Sequence, residues 1–189
     1  MEVWLILRVI SGTAKGHKLK TPKGNSTRPT TDRVKESLFN IIAGLLPGAQ
    51  VLDLFAGTGN LGIEALSRGA AHAVFADKST ECAGIIRDNL NHTRLNEKAS
   101  VHVGDAAAIL SRLKAEGKKF DIVFLDPPYS RNMAKEALDH LFELDLINED
   151  GIVIAERDKN DQLPENVGHL SLVRTQKYGD TSVSFYRKV

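Results

Sequence analysis

The chain is poor in residues that carry redox or metal chemistry. It has one cysteine, Cys82, in 189 residues, which excludes an intramolecular disulfide framework and a cysteine-rich zinc site and fits a reducing, cytoplasmic setting. No histidine lies near Cys82 in sequence, so it reads as a small apolar residue on a helix and not as a nucleophile. The six histidines (17, 72, 92, 102, 140 and 169) are scattered without metal-ligand spacing, and no metal is expected. No stretch approaches the roughly 18 apolar residues of a membrane span. The apolar start, Val3 to Leu7, lacks a basic leader and a small-residue cleavage site. Residues 1–7 read as a mis-called start or a dispensable extension. Internal repeats and low-complexity linkers are absent too.

What is present is ordinary in bulk and uneven in detail. An apolar content of 42% and a charged content of 26% suit one soluble domain with a substantial core. The net charge of +1 conceals an asymmetry. Residues 8–35 hold eight basic side chains (Arg8, Lys15, Lys18, Lys20, Lys23, Arg28, Arg33 and Lys35) against Asp32 alone, a balance of +7; residues 36–189 carry 17 basic and 22 acidic, a balance of −5. A basic arm on an acidic body suits a polyanionic partner such as nucleic acid. Gly12, Gly16, Pro22 and Gly24 interleave the charges with turns.

Hydrophobic periodicity divides the chain. Residues 8–20 alternate imperfectly and predict one or two short strands broken at Gly12 and Gly16. Thr30 or Thr31 can cap a helix over 32–46, where Val34, Leu38, Ile41, Ile42 and Leu45 share a face before Pro47-Gly48. Strands at 50–55, 73–76, 100–103, 120–125 and 151–155 then alternate with helices at 60–68, 80–94, 106–115 and 132–143. That order predicts a parallel sheet with helices on both faces. Leu170–Gln176 and Thr181–Arg187 form a final hairpin. The expected fold is α/β and Rossmann-like, with a mostly parallel seven-stranded sheet, an antiparallel C-terminal hairpin and a small basic N-terminal β extension.

Two segments 73 residues apart carry the chemistry. Asp53-Leu-Phe-Ala-Gly57-Thr-Gly59-Asn-Leu-Gly62 is a glycine-rich turn between strand and helix, of the kind that lets backbone approach a nucleotide-like ligand. A carboxylate at Asp53 would repel a pyrophosphate, whereas it would attract the ammonium and sulfonium of S-adenosylmethionine. Asp77 and Asp105 end the next two strands, where acids can accept from ribose hydroxyls and an adenine amino group. Phe55, Lys78 and Ala106 adjoin these positions and complete the expected cofactor lining.

The second segment is Asp126-Pro127-Pro128-Tyr129. An exocyclic amine on a base is a weak nucleophile because its lone pair is delocalised into the ring. The Asp126 carboxylate and the Pro127 carbonyl can accept its N–H groups and turn that lone pair towards a methyl group. The prolines fix the backbone, and Tyr129 can stack on the base. Guanine N2 and adenine N6 both satisfy this chemistry.

Arg28-Pro29-Thr30-Thr31-Asp32-Arg33-Val34-Lys35-Glu36-Ser37-Leu38-Phe39-Asn40, together with the two motifs and Glu64-Ala-Leu-Ser-Arg68-Gly69-Ala70, resembles the RsmD family of bacterial 16S rRNA guanine-N2 methyltransferases. The resemblance runs from Arg8 to the Gly179-Asp180 turn. It implies S-adenosylmethionine as donor, S-adenosylhomocysteine as product, and a guanine of small-subunit rRNA, within a ribonucleoprotein particle, as acceptor. It implies a basic RNA-binding extension over 1–30 (Arg8, Lys15, Lys18, Lys20 and Arg28, with Arg33 just beyond) and a methyltransferase domain over 31–189; a monomer is the default expectation. Adenine-N6 transfer, small-molecule amine methylation and a non-catalytic RNA-binding or ribosome-assembly role remain as rival readings.

Overall fold

A computed structural model describes residues 7–22, 32–128, 132–159 and 161–189. Five parallel strands form its first half: β1 (Gln50–Leu54), β2 (His72–Asp77), β3 (Ala99–Val103), β4 (Phe120–Leu125) and β5 (Ile147–Asp158). Three antiparallel strands follow: β6 (Asn166–Val167), β7 (Leu170–Tyr178) and β8 (Thr181–Lys188). They make one sheet in the order β3-β2-β1-β4-β5-β8-β7-β6. The helices are α1 (Asp32–Ile41), α2 (Asn60–Ser67), α3 (Thr80–Thr93), α4 (Ala106–Ala115) and α5 (Met133–Glu143).

Strand alternation sorts the core into two layers. Val51, Phe75, Phe124, Ile154 and Phe185 pack with Leu38 and Phe39 of α1, Ile63 of α2 and Ile86 of α3. Their neighbours Leu52, Val74, Val123, Val153 and Tyr186 pack with Leu110 and Leu113 of α4 and Leu138 and Leu141 of α5. Phe75 and Phe124 are fully buried, each stabilising the fold by about 2–3 kcal/mol. The same parity decides where acids point at the strand ends. Asp53, Asp77, Asp126 and Glu156 all continue the rows that face α1, α2 and α3.

The structure corrects the expected strand count and the form of the arm. Among the described residues the sheet has eight strands, because Asn166–Val167 adds a two-residue edge to β7. β5 starts at Ile147, with a register shift against β4 between Phe120 and Ile122. The regular part of α1 stops at Ile41, and a 3₁₀ turn over Ala43–Leu45 follows, consistent with the low helix propensity of Gly44. Among the described residues the arm forms one antiparallel bridge, Arg8 to Lys18, and no regular strand. Its apolar residues Leu7, Val9, Ala14 and Leu19 are buried in the α1–α3 layer of the core.

Candidate active site

The glycine-rich turn leaves β1 through Phe55, whose φ of 68° is unusual for a side chain of that size. Gly57 and Gly59 continue the turn at φ 56° and 76°. Their amides are held by what lies around them. Gly57 N–H donates to Asp77 Oδ2 at 2.9 Å, and Gly59 N–H donates to the Ala56 carbonyl at 2.7 Å. The glycines divide the work. A methyl group on Gly57 would meet nothing within 4 Å, whereas one on Gly62 would stand 2.3 Å from the Phe75 ring. Gly57 therefore leaves open space beside the turn, and Gly62 lets α2 lie against β2.

Asp53 lies beneath the turn and is only 2% exposed. Its Oδ2 accepts the Gly62 N–H at 2.9 Å, which fixes the first turn of α2. Burial pushes this carboxyl up to about 7; the Gly62 hydrogen bond opposes that shift and the Asp77 charge adds to it. Asp77 is half-buried, and its Oδ1 also accepts from Ser79 N–H at 2.8 Å. Asp105 is exposed and caps α4 by accepting from Ala107 N–H at 3.0 Å. Lys78 is exposed, while Phe55 and Ala106 are half-buried against the α4–α5 layer. Asp77 and Asp105 thus share one sheet edge with the Gly57 turn, with Asp53 underneath.

The proline turn follows on the adjacent strand. Leu54 of β1 is in register with Leu125 of β4, so the Gly57 turn and Asp126-Pro127-Pro128 leave the sheet side by side. The carboxyl of Asp126 is raised well above the ordinary range by desolvation and then by the charges of Glu156 and Asp53. The residue itself is exposed. The effect of its acidic neighbours follows from strand register. Ala155 pairs with Leu125, which sets Glu156 beside Asp126. Tyr129 and Arg28 lie outside the described residues. Sequence reasoning gave no role to Glu156, an acid following the parallel-paired part of β5 as Asp53, Asp77, Asp105 and Asp126 close their own strands.

The cations of the arm are not equivalent. Arg8 pairs with Asp32 at 2.9 Å and Lys20 with Asp88 at 2.8 Å, with all four side chains substantially exposed. Lys15 and Lys18 are exposed with no ion pair among the described residues, and Arg33 is exposed on α1. Lys35, counted above with the arm's charge, is fully buried. Its Nζ donates to the Arg8 carbonyl at 2.5 Å and to Asn60 Oδ1 at 2.7 Å, and it pairs with Glu64 at 3.0 Å. Burial lowers the Lys35 pKa, and the Glu64 charge opposes that shift.

Comparison with known proteins draws the same outline. A family model described as conserved hypothetical protein 95 matches residues 7–187. The Escherichia coli K12 protein named ribosomal RNA small subunit methyltransferase D is 33% identical over 186 residues, covering 96% of this chain and 90% of that one. The chain belongs to this RsmD family. YlbH of Bacillus subtilis, named provisionally as an rRNA methyltransferase, is 44% identical over 182 residues, covering 96% of this chain and 99% of the relative. The solved structure of yhhF from Escherichia coli superposes with a TM-score of 0.86 at 32% identity, covering 97% of this chain and 98% of that one. The RsmD-family fold therefore extends over essentially the whole chain.

Proposed function

We propose that this protein transfers a methyl group from S-adenosylmethionine to the N2 amine of a guanine in 16S rRNA, acting as a cytoplasmic monomer on a small-subunit particle. The observation that carries the reading is the pairing of two turns on neighbouring strands. The open Gly57 turn, ringed by acids, leaves the sheet beside the rigid Asp126-Pro127-Pro128 turn.

The residues fit a cationic donor. Asp77 and Asp105 share the sheet edge with Gly57, the side chain of Asp53 lies under the turn, and the open space at Gly57 permits close backbone approach. When bound, the donor supplies an electrophilic methyl group on sulfur. The chain's own residues supply the positioning. Asp126 accepts an N–H of the acceptor amine, and the Pro127 carbonyl accepts the other, so the nitrogen lone pair is aimed across the crevice. After transfer the nitrogen sheds a proton, and a carboxylate made more basic by Glu156 and Asp53 suits that step. Tyr129 stacks on the base once the nucleotide has been drawn out of its helix.

Acceptor chemistry favours guanine. Its Watson–Crick edge presents two donors in a row, N1–H and N2–H, whereas adenine presents a donor beside an acceptor. An ionised Asp126, whose carboxylate only accepts, complements the guanine edge. Asp126→Asn tests the mechanism. Transfer to unmodified small subunits should fall roughly 10²-fold, while S-adenosylhomocysteine binding by calorimetry stays near the parent value. Parental turnover in that variant would refute the role of Asp126.

A further inference from the structure

Both limbs of the arm are tied to the glycine-rich turn through buried polar side chains, and the two ties are independent. The first is the Lys35 junction. Its ammonium holds the Arg8 carbonyl on one side and Asn60, the first residue of α2, on the other. Glu64 completes it by accepting Ile10 N–H at 2.8 Å and Ser11 N–H at 3.0 Å. The second tie is Asn89 on α3, only 1% exposed. Its Oδ1 accepts Lys20 N–H at 2.7 Å. Its Nδ2 donates to the Lys20 carbonyl at 3.1 Å and to the Thr58 carbonyl at 3.0 Å.

Thus residues 8–11 reach the turn at Asn60, and residue 20 reaches it at Thr58. Gly59, between those two points, sits at φ 76° and heads α2 with no side-chain cap. The arm's seating and the turn's shape share one set of directional contacts. If the arm shifts, Thr58 and Asn60 must follow or surrender a hydrogen bond from a buried side chain, a loss that folded proteins resist.

We propose that Lys35 and Asn89 are positioning residues that couple the arm to the turn, so that RNA on the arm and cofactor at the turn strengthen each other's binding. The inference rests on the reading that the arm holds RNA and the turn holds the donor. Coupling of this kind is reciprocal: the factor by which RNA tightens cofactor equals the factor by which cofactor tightens RNA.

The experiment is calorimetric titration of the full chain with S-adenosylhomocysteine, alone and with saturating unmodified small subunits. The parent should show a ratio of the two dissociation constants of about fivefold or more. Asn89→Leu and Lys35→Met should each bring the ratio towards one. A merely structural role would weaken both affinities and leave the ratio intact, which would overturn the proposal. A parent ratio of one, with both ligands bound, would overturn it as well while sparing the assignment of function. Failure of the parent to bind either ligand would remove the assignment itself and the inference with it. Should both variants unfold, hydrogen exchange on the parent decides. Added RNA should slow exchange in residues 55–63 as well as in the arm, and slowing confined to the arm would refute coupling.

Discussion

Replacing Asp53 with asparagine removes a buried charge while keeping an oxygen in place for the Gly62 amide. The carboxyl stands at about 7 in the fold against an ordinary value of 3.8, because burial outweighs the stabilising hydrogen bond. A raised folded value means that the native state binds the proton more tightly than the unfolded chain does. Stability from this group is therefore present at low pH and is lost progressively as pH rises from about 4 to about 7. Three units at about 1.4 kcal/mol each give a loss of about 4 kcal/mol by pH 8, of which about 2–3 kcal/mol falls between pH 5 and pH 8. Asparagine does not titrate, so the variant escapes that loss. Urea denaturation at pH 5 and pH 8 would read it. The midpoint of Asp53→Asn, relative to the parent, should rise by about 1 M between the two pH values. An equal offset at both pH values, or a variant less stable than the parent at pH 8, would show that Asp53 is stabilised as a carboxylate and that the burial argument fails.

The arm yields a second prediction, because its cations differ in what they touch. Lys15→Ala and Lys18→Ala should each flatten the salt dependence of RNA binding by about 0.7–0.9 in log–log slope. Arg8→Ala should flatten it less, since Arg8 already pairs with Asp32; equal slopes for all three, read by filter binding across a salt series, would contradict this. At Gly62, alanine would drive a methyl group to 2.3 Å from the Phe75 ring, so Gly62→Ala should cost about 1–3 kcal/mol by denaturant titration. Gly57→Ala meets no neighbour; its cost should come from the positive φ, near 1 kcal/mol. With Asp126 held above the ordinary carboxylate range, kcat/KM should climb with pH through that raised value as the group ionises into an acceptor. The climb should vanish in Asp126→Asn, and a persistent limb would assign it to another group.

The parallel half of the fold was legible because each strand is a short apolar run and each helix carries a stripe of period 3.6. The early start of β5 was not, since Asn148-Glu-Asp-Gly151 reads as loop and is held as strand by pairing in the sheet. β6 escaped notice because two residues carry no periodicity. In the site, the acids at the strand ends were visible as a spacing, but their exposure was not. Asp53 reads as a ligand for a cation, and alternation turns it under the glycine turn. Lys35 was counted with the arm's charge although the sequence held a warning. With Leu38, Phe39 and Ile42 it falls on the buried stripe of α1, where a lysine needs a partner. Glu64, within a helix buried on every side, is that partner. Asn89 left no signal, because its role depends on two loops that meet only in three dimensions.

The central claim is that a proline-stiffened acid aims a guanine N2 at a methyl donor held over the neighbouring turn. Incubating the protein and labelled S-adenosylmethionine with small subunits from a strain lacking the endogenous family member, then digesting the 16S rRNA to nucleosides for mass spectrometry, tests it most directly. The label should appear in N2-methylguanosine; label in N6-methyladenosine, or in no nucleoside, would contradict the account.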